Sequence, residues 1–232
     1  MDQKSYIPVG QDGFKGRFLY LLILILGLII IVPLVENFVR LRMITDVFMT
    51  AIFITAAYAI SKRKRDVFVA VLLLLPMLVS IWSEYFVKLP ALQVAGNLCG
   101  VLYFAYAVIA ILMFIFAQRE VTRDLIAGAA VAYLMMALMW TFLYKSVEIL
   151  EPGSFSLAET GFKTHGLVFI YYSFVTITTL GFGDITPTTS LASSLTILEA
   201  IVGQLFLVVV VAWLVGVHVS QTLERKHDRK HK

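Results

Sequence analysis

Six stretches of this chain are long and apolar: 17–39, 41–60, 67–87, 92–117, 125–150 and 192–217. Each has about 20 residues or more, the length that crosses roughly 30 Å of hydrocarbon. In lipid a free amide finds no partner, so such segments have to be helical. The composition agrees, because 60% hydrophobic residues and a mean hydropathy of +0.89 are too apolar for a soluble domain. The first 16 residues read as a polar cytoplasmic segment. The apolar run after them is too long for a signal-peptide core, and it reads as a retained first helix. Cys99, the single cysteine, cannot close an intramolecular disulfide and reads as a packing residue.

Six spans put both termini on one side of the membrane. Fourteen basic residues share that side, and Arg40, Arg42, Lys88, Lys145 and Lys163 face the other. By the positive-inside rule the termini of this multi-pass protein are cytoplasmic, and a plasma membrane is its expected location. Its compactness leans toward a prokaryotic inner membrane.

Between the apolar stretches 166–175 and 192–217 lies Thr176-Ile177-Thr178-Thr179-Leu180-Gly181-Phe182-Gly183-Asp184. Gly181 and Gly183, two apart, can take positive φ without steric cost, so successive carbonyls can aim at one axis. This string resembles the Thr-x-Thr-Thr-x-Gly-(Tyr/Phe)-Gly-Asp signature of the tetrameric potassium channels. Members of that family replace the water around K+ with backbone carbonyls.

The resemblance implies an all-α membrane protein of six transmembrane helices. A re-entrant pore helix (166–178) and a selectivity filter would lie between helices five and six. Thr178, Thr179, Leu180, Gly181, Phe182 and Gly183 would form the filter. K+ would sit on the carbonyls of Thr179, Leu180, Gly181 and Phe182, with the Thr179 hydroxyl closing the innermost site. Asp184, Tyr171, Tyr172 and Val175 would support it. One loop cannot surround an ion, so a homotetramer is expected. The permeant K+ is the only ion called for, with no cofactor.

Phe182 replaces the commoner tyrosine, and Val175 stands where some relatives place a carboxylate. Both changes predict a filter held by packing more than by polar bonds. Gly203 is a candidate inner-helix hinge, or a small residue for close packing. Glu199, one turn earlier, is expected behind the filter, with pore lining as the rival. An ionisable group at that depth is expensive unless it is buried in the bundle or faces water.

The chain divides into a four-helix module (17–117), a joint (118–124) that could run helically into the fifth segment, a pore module (125–217) and a short basic tail (218–232). Gly153, Ser154, Ser156 and Gly161 mark an outer loop. The fourth segment contains no arginine or lysine, where voltage-gated relatives carry a ladder of them. Without mobile charge the field has little to pull on, so gating should depend weakly on voltage. Glu36, Asp46 and Glu84 are expected to pair with Arg40 and Arg42.

Lys62, Arg63, Lys64 and Arg65 and the C-terminal basic tail read as positive-inside signals, or alternatively as contacts for anionic lipid. Neither cluster suggests nucleic acid. His218, His227 and His231 read as solvated tail histidines. The tail is too short for a nucleotide- or calcium-binding domain. A poorly selective cation channel and a potassium-transporter subunit are the rival readings. No His-Glu-x-x-His or Gly-x-Ser-x-Gly motif supports an enzyme.

Overall fold

The computed structural model describes residues 17–34, 41–60, 64–83, 85–86, 89–118, 120–157 and 165–230. Seven helices and one small ribbon follow in order: α1 (Arg17–Leu34), α2 (Leu41–Ile60), α3 (Lys64–Ser83), α4 (Pro90–Phe116), α5 (Arg123–Leu150), β1 (Phe155–Leu157), α6 (His165–Ile177), β2 (Ile185–Pro187) and α7 (Ser190–Lys230). Among the described residues, α2, α3, α4, α5 and α7 are long and apolar enough to span a membrane, and α1 contributes a shorter apolar stretch, Arg17–Ile31.

Aromatic packing joins α1, α2 and α4 to one another and to the rest. Phe53 of α2 lies 5.0 Å from Phe104 of α4, and Phe104 lies 5.9 Å from Phe142 of α5. Tyr103 is buried beside them and donates its hydroxyl proton to Phe53 O at 2.6 Å, so its polar end is satisfied inside the cluster. A buried tyrosine needs such a partner. Phe18 of α1 packs on Phe114 at 5.6 Å, and Phe116 meets Trp213 of α7 at 5.4 Å. The four-helix module therefore lies along the α5 of its own chain.

Small residues set the closest approach. Gly96 and Gly100, one turn apart on α4, face α3 and α5. A Cβ at Gly96 would fall 2.0 Å from Ser80 Cβ, and one at Gly100 would fall 3.2 Å from both Met77 Sδ and the Phe142 ring. Small residues four apart let membrane helices touch backbone to backbone. Ser80 uses its place by donating to Leu92 O at 3.2 Å.

Two expectations need correction. The joint at 118–124 does not carry helix α4 into α5. Thr122 sits in extended conformation (φ −111°, ψ 164°), and its side chain accepts from Leu125 N at 3.2 Å, so α5 has its own N-cap. Such a cap satisfies a donor that the first helical turn leaves free. The outer loop is not wholly irregular, because β1 pairs antiparallel with β2 just past the filter string. The basic tail from residue 218 is helical as far as Lys230, because α7 continues to it. At 1.5 Å per residue this helix is about 60 Å long, well beyond the bilayer core.

Asp46 accepts from Tyr85 OH at 2.7 Å. Of its expected partners, Arg40 lies outside the described residues, as do Glu36, Glu84, Lys62, Arg63, Gly161 and His231, and the side chain of Arg42 lies outside them too.

The Gly96 crossing gives a direct test. Gly96→Ala should destabilise the fold by about 1–3 kcal/mol, the usual cost of overpacking. Adding Ser80→Gly should recover much of that loss. Thermal unfolding in detergent reads both, and a single mutant as stable as the parent would contradict the crossing.

Candidate functional site

The string 178–184 leaves the C-terminal end of α6 and turns back at once. Three residues in it take positive φ: Thr179 (60°), Gly181 (57°) and Gly183 (78°), with Leu180 and Phe182 between them at negative φ. Alternating left- and right-handed residues rotate successive peptide groups so that like groups face one way. Glycine takes such a conformation freely, whereas Thr179 holds it as a β-branched residue, for which it is a genuine outlier. The sequence pointed to the two glycines and missed the threonine. The string, 178–184, is exposed in the single chain.

Its amides turn inward onto α6. Leu180 N and Gly181 N both donate to Val175 O, at 3.0 and 3.3 Å, and Thr179 N donates to Thr176 O at 2.9 Å. Val175 thus meets the string through its carbonyl. On α5, Tyr133 OH donates to Ile177 O at 2.8 Å, holding the last turn of α6. The Thr178 hydroxyl donates to Phe174 O at 2.6 Å and that of Thr179 to Thr178 O at 2.6 Å.

At the outer end, Tyr171 OH donates to Asp184 Oδ2 at 2.6 Å, while Asp184 Oδ1 accepts from Ile185 N at 3.0 Å. The Tyr171 ring stacks on Phe182, with centroids 6.5 Å apart and planes 10° from parallel. The expectation of a string held by packing more than by polar bonds is therefore corrected. Phe182 lacks a hydroxyl, and Tyr171 supplies one from α6.

Beyond Asp184 the chain enters β2, whose partner β1 pairs Leu157 with Ile185, Ser156 with Thr186 and Phe155 with Pro187. Glu148 near the end of α5 fixes that outer turn by accepting from Gly153 N at 2.8 Å and Phe155 N at 3.2 Å. Thr188 N adds a bond to Ser154 O at 2.8 Å. Sequence reasoning missed β1, β2 and Glu148. A carboxylate followed within a turn by Gly153 was the available signal.

Behind α6 lies a buried polar cluster. Glu199 of α7 is 0% exposed. Its Oε1 lies 2.5 Å from Ser173 Oγ, and its Oε2 accepts from Tyr144 OH of α5. Ser173 Oγ is also 2.6 Å from Ala137 O. Tyr172 is buried beside it, with its hydroxyl 2.7 Å from Thr196 Oγ1. Below this cluster Gly203 meets the end of α6, where an added Cβ would come within 2.6 Å of Ile177 Cγ1 and 3.0 Å of Ile177 O. That contact is the close approach a small residue allows, within an α7 that runs unbroken from Ser190 to Lys230. Ser173 and Tyr144 were not among the candidate residues.

The Tyr171–Asp184 bond generates a prediction. Tyr171→Phe keeps the stack on Phe182 and removes a hydrogen bond to a carboxylate, worth about 1.5–3 kcal/mol. Hydrogen exchange at the Ile185 amide should become faster, with the amides of α5 unchanged. Unaltered protection at Ile185 would show that the bond does not hold the outer end.

One comparison with known proteins bears on this region. Residues 121–219, which take in α5, the filter string and nearly all of the apolar part of α7, match the family model described as "Ion channel". No curated protein and no solved structure matches the chain. The match points to a multimeric membrane channel with a permeant ion, and to a channel in place of an enzyme. With its long apolar helices, this chain has the make-up of a multi-pass membrane protein, and the match over residues 121–219 supports an ion channel of the potassium-channel type.

Proposed function

We propose that the chain is one subunit of a homotetrameric, potassium-selective channel that conducts K+ passively across the plasma membrane. In this reading there are six spans, both termini are cytoplasmic, and α6 with the filter string forms the re-entrant loop. The single observation that carries it is the backbone alternation at Thr179, Gly181 and Gly183. Strings of carbonyls turned to one side are what replaces the hydration shell of K+. The carbonyls of Thr179, Leu180, Gly181 and Phe182 would coordinate the ion. The C-terminal end of α6 would add its partial negative charge toward a cation below it.

The exposed surface of α7 supports assembly. Its covered residues Ala192, Glu199, Gly203, Phe206 and Val210 form one stripe, while Ile197, Ile201, Leu205, Val208 and Val209 are exposed. A helix apolar on every side needs cover on every side. Neighbouring copies around a common axis and lipid would provide it.

Selectivity is tested on the four-chain assembly reconstituted in liposomes. Bi-ionic reversal potentials should favour K+ over Na+ by at least about tenfold, as expected for an intact carbonyl filter. Gly181→Ala should abolish that preference. Nothing lies within 4 Å of the added Cβ in the single chain, so the effect would come from the cost of positive φ, about 1–2 kcal/mol per subunit. Equal permeabilities in the parent protein would overturn the selective reading.

Voltage dependence should be weak. Between Pro90 and Phe116 α4 carries no charged residue. An effective gating charge of about 1 or less per channel is expected, against the three to four per subunit of steeply gated channels. Single-channel recording in K+ and then in Rb+ checks this. Steep gating that ignored the ion species would require another charge to move through the field.

A further inference from the structure

The cluster around Glu199 contains a proton that ordinary charge assignment would leave out. Ser173 Oγ makes two oxygen contacts at hydrogen-bond distance, 2.6 Å to Ala137 O and 2.5 Å to Glu199 Oε1. Each such contact needs a hydrogen between the oxygens. A serine hydroxyl has one to give, and a backbone carbonyl has none. Ser173 can therefore donate to Ala137 O only if the hydrogen on the other contact comes from Glu199.

The remaining partners close the count. Tyr144 OH donates to Glu199 Oε2. Thr196 Oγ1 donates to Ala192 O at 2.8 Å, so its contact with Tyr172 OH takes the tyrosine hydrogen. Ala137 O also accepts from Thr141 Oγ1 at 3.1 Å, which its second lone pair allows, and as a carbonyl it has no hydrogen to return to Ser173. The titratable groups around the site are Tyr133 and Tyr144 on α5 and Tyr172 on α6. Among the described residues Glu199 contacts hydroxyls and no cation. A bare carboxylate fully buried in that setting would be costly, and the neutral acid removes the cost.

We propose that Glu199 carries its proton and acts as a positioning residue, donating to Ser173 and accepting from Tyr144 so that α7 is latched to α5 and to the back of α6. The latch sits one turn above the contact between Gly203 and Ile177. Together these two points fix α7 against the helix from which the filter string emerges. A displacement of α7 would thus pull on Ser173, two residues before Val175, whose carbonyl holds the amides of Leu180 and Gly181.

Infrared spectra of the purified assembly in D2O test the proton directly. The difference between wild type and E199Q should contain the carbonyl stretch of a protonated carboxylic acid, and Ser173→Ala should shift that band by removing its acceptor. A difference containing only carboxylate bands would overturn the proposal. The positioning role is read by K+ flux. E199Q offers an amide hydrogen to Ser173 and an oxygen to Tyr144, so it should retain most of the flux. E199L leaves both hydroxyls without their partner, at about 1–3 kcal/mol each, so its flux should fall by at least about tenfold relative to E199Q. Equal loss in the two variants would overturn the positioning role. The infrared measurement needs no conduction, so a failure of the channel reading is distinguishable from a failure of this one.

Discussion

Backbone that leaves a helix among apolar neighbours has to find its hydrogen bonds within the protein, and the region after Ile177 is built around that demand. Lipid supplies no donor or acceptor, so irregular chain survives at depth only when protein or a water-filled cavity lines it. The carbonyl of Val175 takes two amides of the returning chain, and Tyr133 takes the carbonyl of Ile177. With the amides committed inward, the carbonyls of the same peptides are left to the other side. The positive φ values at Thr179, Gly181 and Gly183 are the backbone cost of that arrangement. At Thr179 the cost falls on a residue with a β-branched side chain, which persists only when its surroundings over-determine it.

Those surroundings come from three helices and one ribbon. Tyr171 holds Asp184, β1 holds β2, and Glu148 holds the turn before β1. On the inner side Tyr144, Ser173 and Glu199 join α5, α6 and α7 in one hydroxyl–carboxyl cluster. Aromatic rings fill the space between the two supports. Phe155 packs on Phe169, Tyr144 and Tyr172, with each pair of centroids 5.3 Å apart. The outer ribbon and the buried cluster therefore share a side chain, and a change in one is felt in the other.

Much of this was legible in the sequence, and the limits follow from distance along the chain. Apolar length placed α2 at 41–60 and ended α5 at Leu150, because hydrocarbon thickness and helical rise fix those numbers. The string from Thr176 to Asp184 identified where the backbone would turn. Pairing of Phe155–Leu157 with Ile185–Pro187 was not legible, since three residues on each side of an intervening helix carry too little pattern. The hydroxyl of Tyr171 shows a different limit. Its identity as a support residue was readable, but a helix periodicity does not say that it reaches over Phe182 to Asp184. The pair Gly96 and Gly100 was readable by its spacing and was passed over. Thr122 was likewise visible as a cap, since a threonine followed by Asp124 and an apolar run starts a helix.

In the channel reading proposed above, the four-helix module would serve as a buttress and not as a moving part. A sensor helix has to slide, and sliding needs both charge to be driven and a surface that lets it pass. α4 has neither. Its midsection is locked against α3 by Gly96 on Ser80, where the Ser80 side chain leaves no room for a methyl group. It is locked against α2 and α5 by Phe104 between Phe53 and Phe142. Translation by a residue or two would put side chains where Gly96 and Gly100 now make room. Packing of this kind passes strain along and does not dissipate it. The buttress presses on α5 at Phe142, one residue after Thr141, whose hydroxyl contacts Phe169 O of α6 at 3.3 Å. In that reading what α4 would deliver to the 178–184 string is rigidity, carried through α5 to the helix behind it.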